Sequence, residues 1–154
     1  MNRPLLSFIY IFLFSLLFHG TVISSEVKRE VLRFSSETAK IKKSDGILHL
    51  SGEVKISYGQ YVIRSDLLMA KTNSIDSPEV KIIEASKNIY FSNNKDISAK
   101  GDKLFMDVDK KFVSIEGNVE FSQDKSIIRA NKINVDLETE TVDFEGIKDS
   151  FIKE

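Results

Sequence analysis

The chain alternates apolar and polar residues with a period of two over most of its length. Leu48, Leu50, Gly52, Val54 and Ile56 occupy every second position, with His, Ser, Glu and Lys between them. That period is the strand period, in which successive side chains point to opposite faces. The string recurs: Ile47 to Ser57 lies without gaps over Phe112 to Ser122, an offset of 112 − 47 = 65. The second copy puts Val113, Ile115, Gly117, Val119 and Phe121 on one face, and the same offset carries Val62-Ile63-Arg64 onto Ile127-Ile128-Arg129. A weaker copy reads Ile83, Ala85, Lys87, Ile89, Phe91, with Lys87 at the glycine position. A fragment reads Val142, Phe144, Gly146.

A second pattern sits between these runs. Its copies are Phe34-Ser36-Glu37-Ala39-Ile41, Ile63-Ser65-Asp66-Leu68-Ala70, Ala99-Gly101-Asp102-Leu104-Met106 and Ile128-Ala130-Asn131-Ile133-Val135. The apolar phase slips by one residue at the acid or Asn. A slip would turn the rest of the strand inside out unless a bulge absorbs it, so a β-bulge is predicted at Glu37, Asp66, Asp102 and Asn131. Turn signals separate the runs: Ser44-Asp45-Gly46, Tyr58-Gly59-Gln60, Asn73 to Pro78, Asn93-Asn94-Lys95, Asp109-Lys110-Lys111, Gln123-Asp124-Lys125 and Glu138 to Thr141. Helical periodicity is nearly absent, and only Ser24 to Arg33 reads as one short turn or helix. The prediction is an all-β fold of about eight short-turned antiparallel strands.

A repeat of this length stacks because no unit can bury its own apolar face. The inward positions are Leu, Ile, Val, Phe and Met, and the outward ones Lys, Glu, Asp, Ser, Asn and Thr. That describes two curved sheets facing each other, as a sandwich, jellyroll or roll-like solenoid. Such a stack leaves its two ends open. Phe151 and Ile152 are candidates to cover one mouth; otherwise the ends fray or are docking surfaces for another copy or partner by strand addition.

Composition narrows the chemistry. In 154 residues there are 22 basic and 23 acidic side chains, a net charge of −1 and no Cys. That suits one domain and gives no basic face for nucleic acid. Disulfides, thiol chemistry and clustered His sites are excluded, since His19 and His49 are the only histidines. No nucleophile elbow, phosphate loop or metal triad is present, and the carboxylates alternate outward rather than facing across a cleft. The expectation is a protein that is not an enzyme and that needs no cofactor. Lys110-Lys111 reads as a turn, and His49 as an outward residue. Arg64 and Arg129, at equivalent points, read as outward ladder residues or as contacts to the phosphates of an anionic ligand.

Met1 to Ser25 stands apart. It has one charge, Arg3, and an apolar run from Leu5 to Phe18 followed by small polar residues. This is the pattern of a secretory signal peptide, with an uncleaved membrane anchor as the alternative. Removing it leaves 21 − 23 = −2. The domain division is therefore residues 1–25 for the signal or anchor and 26–154 for the β domain.

These strings carry a resemblance: Leu50-Ser51-Gly52-Glu53-Val54, Ile63-Arg64-Ser65-Asp66, Gly101-Asp102-Lys103-Leu104-Phe105-Met106-Asp107, Ile115-Glu116-Gly117-Asn118-Val119 and Ile128-Arg129-Ala130-Asn131-Lys132. Four ordered copies behind an export segment resemble the OstA-like family of lipopolysaccharide-transport proteins, nearest to its periplasmic bridge members, over about Phe34 to Gly146. Lys87, where the motif has Gly, departs from it. The resemblance implies a β-jellyroll open at its ends that shelters the acyl chains of lipopolysaccharide. It also implies end-to-end homo-oligomers in the periplasm, with LptC-like inner-membrane and LptD-like outer-membrane components as partners. A membrane-anchored LptC-like adaptor is the alternative within the family. The implied lining is Leu48, Leu50, Val54, Ile56, Ile63, Leu68, Ile89, Phe91, Leu104, Met106, Val113, Ile115, Val119, Phe121, Ile128, Ile133 and Val135. Read from the pattern alone, the same residues also fit the closed dry core of a structural repeat.

Overall fold

Wherever the alternation was read, the chain is extended. In a computed structural model the described residues are 32–73 and 79–152. They form β1 (Leu32–Ser35), β2 (Thr38–Lys42), a 3-10 turn (Lys43–Asp45), β3 (Ile47–Tyr58), β4 (Tyr61–Thr72) and β5 (Val80–Ser92). Then follow β6 (Ile97–Asp107), β7 (Phe112–Gln123), β8 (Ser126–Asp136), β9 (Thr141–Glu145) and β10 (Asp149–Ile152). All pair antiparallel in one sheet that does not close. β1 and β2 share the outer edge of β3, and β9 and β10 share that of β8. Each of these pairs works as one long strand broken at its middle, so the ten strands make eight rows.

The breaks and the bulges lie on one seam. Between β3 and β4 the register jumps from Ser51–Leu67 to Val54–Ser65, so Gly52 and Glu53 oppose Asp66 alone. Lys87 and Asn88 oppose Asp102 in the same way, and Gly117 and Asn118 oppose Asn131. The change of facing falls where it was expected: Ile63 and Ser65 point inward before Asp66, and Leu68 and Ala70 after it. The surplus residue, however, belongs to the partner strand. It sits in left-handed backbone at Gly52 (φ 77) and Glu53 (φ 45), and at Gly117 (φ 80) and Asn118 (φ 48). The acidic position is the single residue of each bulge because glycine bears that backbone at no steric cost. Glycine also leaves room there, since a Cβ at Gly117 would collide with the Asp102 carboxylate. Lys87 (φ 65) and Asn88 (φ 53) adopt the same backbone without glycine, and Asn88 Nδ2 donates to Asp66 Oδ2 at 2.7 Å.

The seam divides every row into two parts, here the β2–β9 half and the β1–β10 half, which fold onto each other. Phe121 of the second half meets Phe144 of the first edge-on, with centroids 5.2 Å apart. At the lips of the fold, Tyr61 OH donates to the Leu137 carbonyl at 3.2 Å, and Gln60 Nε2 to Glu140 Oε1 at 3.0 Å. Tyr61 also stacks on Phe91.

The turns are held by their own polar groups. The Asp107 carboxylate accepts from the Lys110 amide and pairs with its ammonium, and Asp136 accepts from the amides of Thr139 and Glu138. These donors hold both carboxyls below their ordinary value. Asp96 is lowered likewise by the Asn93 and Gln123 side chains, and Asp45 by Lys42 and Ser44.

Two expectations change. The short helix over Ser24 to Arg33 lies outside the described residues up to 31, and its last two residues open β1 instead. Phe151 and Ile152 cap no mouth. They sit in β10, paired with β8, and remain exposed because that strand extends the sheet edge. Met1 to Ser25 lies outside the described residues. Among those described, no helix is long and apolar enough to cross a membrane.

Candidate functional site

The register assembles the inward residues into rungs that run across the rows. One rung is Ala39, Leu50, Leu68, Ala85, Leu104, Ile115, Ile133 and Phe144. The next is Ile41, Leu48, Ala70, Ile83, Met106, Val113, Val135 and Val142. In the other half Phe34, Ile56, Ile63, Phe91, Ala99, Phe121 and Ile128 form a third. The first two span the stack from one free edge to the other, roughly 34 Å for seven interstrand steps of about 4.8 Å, while the third ends at β8, where Ser150 of β10 faces Ile128.

All seventeen candidate lining residues therefore fall on one interior. Val54, Ile89 and Val119 belong to it beside the seam. Leu48 and Ile128 are partly exposed, and the other fifteen are at most 3% exposed. In this state the two halves pack against each other and the interior is filled by its own side chains.

The remaining residues singled out in the sequence face outward. Arg64 lies over the Tyr90 ring at 5.6 Å. Arg129 pairs with Glu120 and Asp149, both at 3.3 Å, and covers Phe151. Both arginines thus lie on the outer surface. Lys110 is a turn residue bound to Asp107.

One feature was missed in the sequence. The outer face of the β2–β9 half is concave and holds a groove of about 790 Å³. Its lining includes the outward Lys40, His49, Leu67, Met69, Glu84, Lys103, Phe105, Ser114 and Glu116, and also Leu50, Leu68 and Leu104 of the inward set. Leu67 and Phe105 are exposed there, and buried Ser114 Oγ has no hydrogen-bond partner. The unbroken apolar run Leu104-Phe105-Met106 was the available sign, since a one-sided strand would have a polar residue at its centre.

At the two ends of the stack, the outer edges of β1 with β2 and of β9 with β10 pair with no further strand among the described residues. β2 and β10 are exposed throughout, including Ile41 and Ile152.

Comparison with known proteins agrees with this geometry. The chain is similar in fold to LptH, described as the LptA homologous periplasmic component of the conserved lipopolysaccharide transport device from Pseudomonas aeruginosa. The TM-score is 0.70 at 15% identity, over 81% of this chain and 96% of that one. No curated protein matches the chain in sequence. Residues 34–141 match the family described as LptA/(LptD N-terminal domain) LPS transport protein. That match takes in the three bulges of the seam and every copy of the two patterns except the Val142, Phe144, Gly146 fragment. The chain is a member of this OstA-like family of lipopolysaccharide-transport proteins.

Proposed function

We propose that the protein carries lipopolysaccharide through the periplasm as one segment of a bridge between the inner and outer membranes. The acyl chains lie between the two halves of the roll and the head group stays in solvent. The observation that supports this is the continuity of the first two apolar rungs, which reach from one free edge to the other without a charged side chain. Acyl chains cost about 0.8 kcal/mol per CH₂ when left in water, so a carrier needs an apolar path along its whole length. The chains enter by parting the lips held by Tyr61 and Leu137, and Leu50, Ile115 and Phe121 then face them. The free edges join further copies and the LptC-like and LptD-like components into one continuous path. The carrier does no chemistry of its own, and its export relies on the Met1 to Ser25 segment.

The closeness of the packing supports a second reading, a closed structural repeat. One experiment separates the two. A photo-crosslinking amino acid placed at Leu50, Ile115 or Phe121 captures lipopolysaccharide in cells if the interior takes up acyl chains. Adducts only at outward control positions, and none at any of these three, leave the closed repeat.

A further inference from the structure

We infer that the outer face of the β1–β10 half carries a phosphate-binding site centred on Lys55 and Arg64, and that it takes a phosphate of the lipid head. This rests on the carrier reading above and adds where a charged part of the carried lipid is bound.

The internal repeat supplies the comparison. Its offset carries Lys55 onto Glu120 and Arg64 onto Arg129, since 120 − 55 = 129 − 64 = 65. Both pairs face each other directly across neighbouring strands. In the second unit the charges are opposite, and Arg129 pairs with Glu120 and, on its other side, with Asp149. In the first unit two bases face each other. Like charges directly opposite across a strand pair repel. The same backbone accepts a carboxylate at the equivalent position, so nothing in the fold demands a base at Lys55.

The excess of positive charge extends beyond this pair. Followed across the rows, the outer rung reads Ser35, Lys55, Arg64, Tyr90, Lys100, Glu120, Arg129 and Asp149. Its first five positions hold three bases and no acid, whereas its last three alternate in sign. Arg33 adds a fourth base on the same face, two residues before Ser35 in β1. Among the described residues, Lys55, Arg64 and Lys100 have no ion-pair partner, although the whole chain has a net charge of −1. The acids of the seam beside them are engaged elsewhere or unpaired. Asp66 accepts from Asn88, Asp102 accepts from Asn118, and Glu53 pairs with none of the three bases.

The donors suit phosphate. Arg64 lies over the Tyr90 ring at 5.6 Å, which keeps the guanidinium against the sheet, and its side-chain N–H groups bond no group of the chain. A guanidinium offers paired donors that match phosphate oxygens, and the neighbouring ammonium adds a compact charge. A phosphate monoester carries about −1.5 to −2 charges at pH 7, which two facing bases balance.

Position ties the site to the carried lipid. Arg64 is three residues along β4 from the lip residue Tyr61, about 10 Å of extended strand. Acyl chains that pass between the lips leave their head at this rim, beside the outer face that bears Lys55 and Arg64.

Lys55→Glu rebuilds the charge arrangement of the second unit, so it should fold at least as well as wild type. Inorganic phosphate, titrated at constant ionic strength, should shift the Arg64 side-chain N–H and Tyr90 signals of wild type in NMR spectra. Binding should be about tenfold weaker in Lys55→Glu. Stability should run the opposite way: without phosphate the variant has the higher urea midpoint, and phosphate raises the midpoint of wild type alone. Lys125→Glu, an equal change of charge in the β7–β8 turn, is the control and should behave as wild type. Equal phosphate responses of wild type and Lys55→Glu overturn the site and leave the carrier reading intact.

A second arm identifies the source of the phosphate. Lipopolysaccharide, and the same lipid stripped of its phosphates by a phosphatase, are offered to protein with a crosslinker at Leu50. Loss of the phosphates and Lys55→Glu should each lower capture severalfold, and together no further. Capture indifferent to both, with inorganic phosphate still bound at Arg64, overturns the lipid head as the source and assigns the site to free phosphate. No capture at Leu50, Ile115 or Phe121 overturns the carrier reading and the head-group assignment with it, whatever the phosphate titration shows.

Discussion

The two faces of the β2–β9 half are built from alternate residues of the same strands, yet they offer a lipid opposite things. Leu104 is buried on the inner face, and Phe105, its neighbour in sequence, is 38% exposed on the outer one. The outer face has the open groove, with Leu67, Met69 and Phe105 in it. Followed across the rows, however, the outer rung reads Lys40, His49, Met69, Glu84, Phe105, Ser114, Asn134 and Asp143. An acyl chain laid along it would meet a polar group at most steps. The inner rung is apolar at all eight. Present openness is thus a poor guide to where a long apolar ligand belongs; continuity of the lining is the better one, and it points to the face that is closed.

The largest expected effect separates these neighbours. Leu104→Ala removes a buried side chain from the centre of a rung and should cost about 2–5 kcal/mol. Phe105→Ala, one residue away and outward, should stay within roughly 1 kcal/mol. Urea unfolding midpoints of the two variants measure the contrast, and equal losses would mean that the outer groove is as much a part of the packed core as the interior.

A smaller effect concerns how the inner face opens. Tyr61→Phe keeps the ring on Phe91 but deletes the hydroxyl that reaches the Leu137 carbonyl across the lips. Loss of one buried hydrogen bond should cost about 1 kcal/mol. If the lips are the route of entry, capture of lipopolysaccharide by a crosslinker at Leu50 should become faster in this variant. Unchanged capture with lowered stability would make the contact a structural staple and send the acyl chains in through the ends.

Much of this was legible in the sequence. Period two fixed the strands, the offset repeats fixed the inward set, and the phase slip marked the seam at Asp66, Asp102 and Asn131. What was misread is informative. The slip showed where facing changes but not which strand carries the surplus residue, because that depends on the pairing. Gly52 and Gly117 held that answer, since glycine in a strand marks a bulge. The remaining instance was aligned at Lys87, but a lysine gives no sign of the left-handed backbone it adopts there. The lips were not legible at all. Tyr61 and Leu137 are 76 residues apart and meet only because the two halves fold over. The outer groove comes from the curvature of the sheet, which a one-dimensional pattern does not contain.

The smallest effect belongs to neither face but to the turns that join them, and it sharpens the contrast by being independent of the interior. Asp136 accepts from the backbone amides of Thr139 and Glu138, which lowers its pKa in the folded chain. A carboxyl with a depressed folded pKa stabilises the fold above its unfolded value of about 3.9, and that contribution is lost as pH falls through the folded pKa. Asp107 and Asp96 act in the same direction. Urea midpoints should therefore hold steady from neutral pH down to about 4 and fall below it. Asp136→Asn keeps an oxygen for both amides but cannot titrate, so it should lower stability slightly at neutral pH and shrink the acid slope. Leu104→Ala, by contrast, should lower the whole curve without changing its shape, because none of the eight side chains of that rung titrates. If Leu104→Ala altered the acid slope as well, the turns and the interior would be coupled through opening of the roll, and acid would act on the lips rather than on the turns alone.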